Sequence, residues 1–479
     1  MAERKVDVGI TSVGVYLPYN YLDRATIAAA WGTRGKDKRA LANSDEDSIT
    51  MAVEAGLDIF RYVQRGQIDS VLFASTTNPY LEKSQATLIG TALNLREGIA
   101  TSDFGASMRC ATSALRAAYG EVASGLSGQS IVVASDMRNG YPKSIQEQTF
   151  GDGAAAVAVG KDNVIATLDL FMSVQNEIVD TWRNDTDRYV RTAEGRFAYE
   201  EGYLRSLRDL LGVLDKKHDV RPDDFAKIVM ATPGPNDHLK AARKLGIPPE
   251  RIQDALVSEV GVLGAPQPLL LLIDAIEGAA AGDRILVLNY GNGADAVLLT
   301  VTEEKDRILR GSSTTKFLEN RAAFTDYGRF LSFRGIVEAQ PGEDYKIPAS
   351  TAQSWRERDV YLRLHASRCR QCDTSVFPIQ RICPTCHALD DFESVFKTDD
   401  TARVFTYSID YLAGRSDDPV IVQSVVEDQA GTRMYLNMTD FDPDEIEVDM
   451  EVEFTFRRIH ELADFHNYYW KIRPLRRKV

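Results

Sequence analysis

Cys369, Cys372, Cys383 and Cys386 form two Cys-x-x-Cys pairs with ten residues between them. At this spacing two short loops bring four thiolates around one tetrahedral zinc ion. Sulfur fills every coordination position and leaves none for water, so the expected metal is a structural zinc. His387 follows the last cysteine and reads as a surface neighbour. The fifth cysteine, Cys110, lies about 260 residues upstream. After it, Ala111, Leu115, Ala118 and Val122 recur on one helical face, which places the thiol at a helix N-terminus. Free N–H groups and the helix dipole favour a thiolate there. On residues alone two readings stay open for Cys110: a nucleophile, or a small buried apolar group.

The elements that would position these residues show an internal echo. Gly128-Gln-Ser-Ile-Val-Val-Ala-Ser135 reads as a turn into a buried strand, followed by Phe150-Gly151-Asp152-Gly153-Ala154-Ala155-Ala156-Val157. Gly282-Asp-Arg-Ile-Leu-Val-Leu-Asn289 repeats the strand and Gly291-Asn292-Gly293-Ala294-Asp295-Ala296-Val297 repeats the glycine segment, 140 residues later. The pattern implies a duplicated half-domain. Runs 70–75 and 228–232 read as buried strands, and 84–95, 112–123 and 239–246 as helices, the last ended by its glycine. Such alternation gives an α/β fold. The polar region 303–358 loses the rhythm and reads as a connector with some local structure of its own. Beyond the cysteine pairs, five short strands separated by turns suggest a small all-β barrel of the OB type. The resulting division is 1–165 and 166–302 for the two halves, 303–358 for the connector, 359–398 for the zinc ribbon and 399–479 for the barrel.

With 479 residues the chain exceeds one hydrophobic core. Its net charge of −14 argues against a general nucleic-acid binder. Single-strand binding by the barrel aromatics Tyr407, Phe454, Phe456, Tyr468, Tyr469 and Trp470 is a further reading, against which core packing is the commoner role. The N-terminus has no secretory apolar stretch, and the longest aliphatic run, Leu269 to Ile273, is far too short for a bilayer. A cytoplasmic protein without membrane attachment is the expectation. The basic C-terminal run Arg473-Pro-Leu-Arg476-Arg477-Lys478 reads as a solvated end.

From about Val6 to Thr302 the chain resembles the thiolase superfamily, in its ketoacyl-ACP synthase III and HMG-CoA synthase branch. The residues that carry this are the helix-start Cys110, Phe150-Gly151-Asp152-Gly153-Ala154-Ala155-Ala156, Asn289-Tyr-Gly-Asn-Gly-Ala294, Asn78-Pro79-Tyr80 with Lys83, and Asp180-Thr-Trp182-Arg183 with Tyr189 and Gly195-Arg-Phe197. From about Tyr361 onward it is similar to acyl-CoA-associated proteins with a rubredoxin-like zinc ribbon and an OB-fold. The resemblance implies duplicated αβαβα layers and a coenzyme A thioester as substrate. It implies an acyl-enzyme on Cys110 and Claisen-type carbon–carbon bond formation. It places the Cys110 amide and the turn Gly291-Asn292-Gly293 at the thioester oxygen, and Thr76 in the substrate-binding loop. It also implies a homodimer or a complex with a thiolase-like subunit. The pattern departs from the family at three places: Thr76 stands where HMG-CoA synthases carry a glutamate, Ala231 or Thr232 where a histidine is expected, and Val262 where an asparagine is expected. His238 is the nearest histidine and the candidate base. Those departures leave a second reading, a non-catalytic CoA-binding scaffold subunit.

Overall fold

The computed structural model describes residues 8–308, 314–338, 350–414, 418–462 and 465–476. The chain forms two compact units: Met1–Ala42, Asp47–Gly90 and Leu95–Thr325 make the first, and Asn43–Glu46, Thr91–Asn94 and Asp326–Val479 the second.

The first unit is built on one nine-stranded sheet. Its strands are β1 (Gly9–Tyr16), β2 (Ser70–Ala74), β3 (Ala100–Phe104), β4 (Ser130–Asp136), β5 (Gly153–Gly160), β6 (Ala166–Gln175), β7 (Lys227–Met230), β8 (Arg284–Tyr290) and β9 (Gly293–Val301). They lie in the order β7-β8-β9-β6-β1-β5-β4-β2-β3. The internal echo is structural. β4 pairs antiparallel with β5, and β8 with β9. β5 then joins β1 and β9 joins β6, and β1 meets β6 antiparallel where the halves join. On the outer side β2 runs parallel to β4, as β7 does to β8. Near-continuous apolar strands such as β5, buried at every position, fit a sheet covered on both faces.

Helix α1 (Ser48–Ile59) packs on β1, β4 and β5. Asp47 caps it by accepting from the amides of Ile49 and Thr50, while Thr50 Oγ1 returns a bond to the Asp47 amide. Helices α2 (Cys110–Ser124) and α5 (Gln267–Gly278) touch each other; α2 rests on the first half of the sheet, and α5 on β5, β7 and β8. In α5 the aliphatic run Leu269–Ile273 is wholly buried, each side chain contributing about 1.5–3 kcal/mol. Helices α3 (Arg205–His218) and α4 (Asp237–Leu245) belong to the second half, α4 ending at the left-handed Gly246 (φ 70°).

The second unit holds the ribbon strands β10 (His365–Cys369), β11 (Ser375–Val376) and β12 (Phe392–Phe396). A closed barrel follows: β13 (Thr401–Asp410), β14 (Ile421–Asp428), β15 (Arg433–Met438), β16 (Glu451–Leu462) and β17 (Phe465–Pro474), in the order β13-β14-β15-β17-β16. Phe454, Phe456, Tyr468 and Trp470 point into its core, with Phe456 edge-on to Trp470 at 5.2 Å. These four are not a stacking surface for bases.

Within 303–358 lie helices Thr314–Glu319, Tyr327–Phe333 and Thr351–Arg356, and a strand, Ala322–Phe324, that runs parallel to Asn20–Asp23. Segments 311–313 and 340–344 of this stretch lie outside the described residues. The basic end is not wholly solvated, because Arg473 is fully buried with Glu453 (2.7 Å) and Arg476 is 6% exposed; 477–478 lie outside the described residues.

Candidate active site

Three strands of the first unit release their chain at one place. β2 runs out into Thr76-Thr77, β4 ends on Asp136, and β8 delivers Asn289 and Tyr290, then Gly291-Asn292. With Ala106-Ser107-Met108, Arg138, Phe150, 180–183, 231–233, Gly264 and Gln267, the residues 76–77 and 289–292 line a cavity. Its volume is about 190 Å³.

Cys110 opens helix α2 as expected. It is 3% exposed and sits one turn behind the lining residues Ser107 and Met108. Burial pushes its thiol well above the ordinary range, and the negative Asp136 adds to this; the amides of Ala111 and Cys110, directed at sulfur, act the other way. The helix start therefore works with the expected sign and is outweighed. The Cys110 amide also donates to the Ser107 carbonyl at 3.0 Å.

Asp136 is the hub of the site, and nothing in the sequence reading marked it. Its carboxylate accepts from Ser75 Oγ (3.0 Å), Thr76 N (2.7 Å), Thr76 Oγ1 (2.9 Å), Thr77 Oγ1 (3.1 Å) and Ala265 N (2.8 Å). Thr76 thus reaches the cavity with its hydroxyl committed to Asp136. A charged residue closing the apolar run Ser130–Asp136 was the one available signal.

The glycine turn meets the start of α2. Arg109 Nε donates to the Gly291 carbonyl (2.6 Å), Arg109 Nη2 to the Asn292 carbonyl (3.2 Å), and Arg109 Nη1 pairs with Asp295 (2.8 Å). Ser107 Oγ adds a bond to the Gly291 carbonyl at 3.2 Å. Asn292 (φ 48°) and Gly293 (φ 115°) take left-handed conformations to make the turn. Gly291 and Asn292 line the cavity and Gly293 does not. The Gly291 amide is used inside the turn, on the Gly293 carbonyl (3.0 Å), so it is not directed at a ligand. Asn289 donates to the Met108 carbonyl (3.3 Å) and to Thr112 (3.2 Å), further pinning the helix start.

Tyr290 Oη donates to Asp180 at 2.6 Å; burial and this carboxylate push the phenol above its ordinary value, so it is a neutral donor. His238 lies in the first turn of α4, 5% exposed, its imidazole held below the usual value by desolvation. It is not among the lining residues, whereas Ala231 and Thr232 are. Val262 is fully buried. Glu82 and Asp152 do not line the cavity; Asp152 accepts from the Ala42 amide at 2.9 Å.

In the second unit the four Sγ atoms of Cys369, Cys372, Cys383 and Cys386 lie within 4.8 Å of one another. Cys369 and Cys386 are 3.6 Å apart and Cys372 and Cys383 3.5 Å. Four Zn–S bonds of about 2.3 Å at tetrahedral angles need sulfurs roughly 3.8 Å apart, so the cluster fits zinc. The two loops are alike: Asp373 N bonds the Cys369 carbonyl (2.9 Å) and His387 N the Cys383 carbonyl (3.0 Å). His387 is exposed and outside the cluster.

Over 348 residues the chain is 30% identical to the hydroxymethylglutaryl-CoA synthase of Methanopyrus kandleri, covering 68% of this chain and 97% of that one. With the Aeropyrum pernix hydroxymethylglutaryl-CoA synthase it shares 31% over 340 residues, 68% of this chain and 94% of the relative. The chain belongs to the hydroxymethylglutaryl-CoA synthase family. A solved HMG-CoA synthase complexed with CoA shares its fold (TM-score 0.63, 22% identity, 72% of this chain and 94% of that one). So does the 3-oxoacyl-[acyl-carrier-protein] synthase III of Aquifex aeolicus (TM-score 0.55, 22% identity, 61% and 99%). Residues 362–393 match the ChsH2 rubredoxin-like zinc ribbon domain. This hydroxymethylglutaryl-CoA synthase-family chain thus carries the thiolase-type α/β fold, a zinc ribbon and a closed five-stranded barrel. In its cavity Thr76, Ala231 and Thr232 stand where the sequence departs from the family; no histidine or glutamate is among the described lining residues, and Cys110 is not among them either.

Proposed function

We propose that the protein is an acyltransferase that takes an acyl group from coenzyme A onto Cys110 and passes it to a carbon nucleophile in a Claisen-type condensation. The observation that carries this reading is the meeting of the α2 start with the Gly291-Asn292 turn at the wall of the cavity. In the first step the Cys110 sulfur bonds the acyl carbonyl carbon and the carbon–sulfur bond to coenzyme A breaks. The Cys110 proton ends on the departing coenzyme A sulfur, so the exchange is balanced without an outside base. Burial favours a thiol that gives up its proton only as the leaving group takes one. Since Gly291 N–H and Cys110 N–H are engaged in turns, their bonds must lengthen or be shared for either to serve the thioester oxygen. In the second step the resemblance implies a base, and His238 would serve only by reaching the cavity past Thr232. Tyr290 in the wall has its single proton committed to Asp180, so its phenol oxygen is left there as an acceptor only.

The test is intact mass after incubation with acetyl-CoA and longer acyl-CoAs. Wild type should gain one acyl group and Cys110→Ala none. An equal adduct on Cys110→Ala, or none on either, rejects the acyl-enzyme. Turnover by the purified chain alone separates an enzyme from a scaffold that needs a catalytic subunit.

A further inference from the structure

Among the described residues that line the cavity, Gln267 alone carries a buried side-chain polar atom without a hydrogen-bond partner, its Nε2. The residue is 2% exposed. Its Oε1 accepts from the Thr232 amide at 3.4 Å. An N–H must meet an oxygen there, so the two protons on Nε2 are left over. The backbone at this place has no donor to spare. Gln267 opens α5, its own amide bonds the Gly264 carbonyl (3.1 Å), Pro268 has no N–H, and the Ala265 amide goes to Asp136 (2.8 Å). The neighbouring wall is spent as well: the Thr232 hydroxyl donates to the Gly234 carbonyl, and the Ala231 amide to the Leu288 carbonyl (3.1 Å). On the opposite approach the amides of Gly291 and Cys110 are engaged in turns, and Tyr290 Oη gives its proton to Asp180. A buried donor without an acceptor is unfavourable in the empty protein, and an oxygen brought into the cavity would satisfy it. Gln267 brings no charge to offset the desolvation of an anion, so the partner it suits is an uncharged carbonyl oxygen.

We propose that Gln267 Nε2 is the hydrogen-bond donor to the carbonyl oxygen of a CoA thioester in this cavity. The inference rests on the acyl-CoA reading above and names the side chain that recognises the thioester carbonyl. Gln267 stands against Thr232, one of the two positions where the family's histidine is expected, and on the segment that carries Val262 in place of the asparagine. A donor at this place holds the carbonyl oxygen without itself gaining or losing a proton.

The experiment is calorimetric titration of the full chain, carrying Cys110→Ala to prevent acyl transfer, with CoA, acetyl-CoA and S-ethyl-CoA. The last is a thioether with a methylene in place of the carbonyl. Acetyl-CoA should bind about tenfold more tightly than ethyl-CoA, the worth of one buried hydrogen bond. Adding Gln267→Met keeps the length of the side chain without its donors. It should bring acetyl-CoA down to the affinity of ethyl-CoA and leave ethyl-CoA and CoA unchanged. Should Gln267→Met fail to fold, the same comparison is read from Gln267→Leu. Equal binding of acetyl-CoA and ethyl-CoA to the Gln267 protein overturns the proposal, and so does a preference that survives the substitution. Equal weakening of all three ligands by Gln267→Met also overturns it, because the residue then only shapes the wall. If none of the three binds the Gln267 protein, the acyl-CoA reading itself fails and takes this inference with it, an outcome distinct from binding without discrimination.

Discussion

At Cys110 two opposing fields meet, and burial is the larger. The thiol stays protonated at neutral pH in the free protein, since both desolvation and Asp136 oppose the anion. Its alkylation by iodoacetamide should therefore keep rising through and beyond the ordinary thiol range of about 8.5. Asp136→Asn removes the negative neighbour and should speed alkylation at any fixed pH below that. A thiol that titrates below 8 in wild type, or is untouched by Asp136→Asn, contradicts this account. Tyr290→Phe deletes a bond to a carboxylate at 2.6 Å, which costs about 1.5–3 kcal/mol because Asp180 Oδ2 loses the phenol while Oδ1 keeps the Thr181 amide. Thermal unfolding should register the loss, and an unchanged midpoint would mean that water replaces the phenol. The four zinc cysteines were legible because type and local spacing carry their meaning, and the same kind of signal gave the place of Cys110 at the start of α2. Asp136 was not: its partners Thr76 and Ala265 lie 60 and 129 residues away, and Asp180 finds Tyr290 across 110. Only the folded sheet gathers such residues. His238 was named because histidines are few, and the fold puts it into the first turn of α4, beside the cavity wall but not in it.

Elements carry their signals in period and punctuation, and most of these were readable. The twin hairpins β4–β5 and β8–β9 follow from apolar runs bounded by glycines, and Gly246 ends α4 where a glycine stop was expected. The nine-strand order was not readable, because nothing local says that β1 and β6 will meet at the junction of the halves. The short helices after Glu303 were legible only as local structure within a connector, because polar segments of six or seven residues carry too little periodicity to be placed one by one. The glycine turn gives a sharp test at this scale. A methyl group at Gly291 would stand 2.7 Å from Ser107 Oγ, 3.0 Å from Arg109 N and 3.1 Å from Met108 N. Two of these atoms are backbone and cannot swing aside. Gly291→Ala should push the turn off the α2 start, reducing acylation at least as much as Arg109→Gln, which removes the bonds that tie the two together. Full acylation in Gly291→Ala would show that the turn has no part in placing the thioester. In the ribbon the metal is the fastening element. Removal of zinc by a chelator forfeits an apparent binding free energy of about 10–16 kcal/mol. Hydrogen exchange in β10–β12 should then become fast, and retained protection would mean that the sheet stands without the ion.

The chain as a whole is folded from segments remote in sequence, and charge is the clearest trace of this. Residues 43–46 belong to the second unit although they precede α1. There Arg457, fully buried, pairs with Glu46 and with Asp440 (2.6 Å), while Lys471 (2.9 Å) and Thr439 (3.0 Å) bind Asp45. The composition predicts only an acidic average; it does not say that a cation near the C-terminus will be matched by carboxylates some four hundred positions earlier. Burial raises the Asp45 pKa, but Lys471 and Arg457 outweigh it and hold the group down at about 2. A depressed carboxylate stabilises the fold above its unfolded value and loses that contribution as pH falls through the folded one. The window therefore runs from about 4 down to about 2, and the full term is about 2 kcal/mol. Asp45→Asn should remove this acid dependence. Arg457→Met is the harsher change, because it takes away the cation shared by Glu46 and Asp440 and leaves Arg473, 3.9 Å from Asp440, to face the pair. Breaking a buried pair from one side costs about 3–5 kcal/mol, and the burial that already raises the Glu46 pKa would protonate that carboxyl at still higher pH. The variant should consequently recover stability as pH is lowered from 7 to 5, where wild type gains nothing comparable. Exchange rates of the amides in β16 and β17, followed across that interval, decide the matter: if the variant is as protected at pH 7 as at pH 5, the two carboxylates do not depend on Arg457, and the barrel is held by its aromatic core alone.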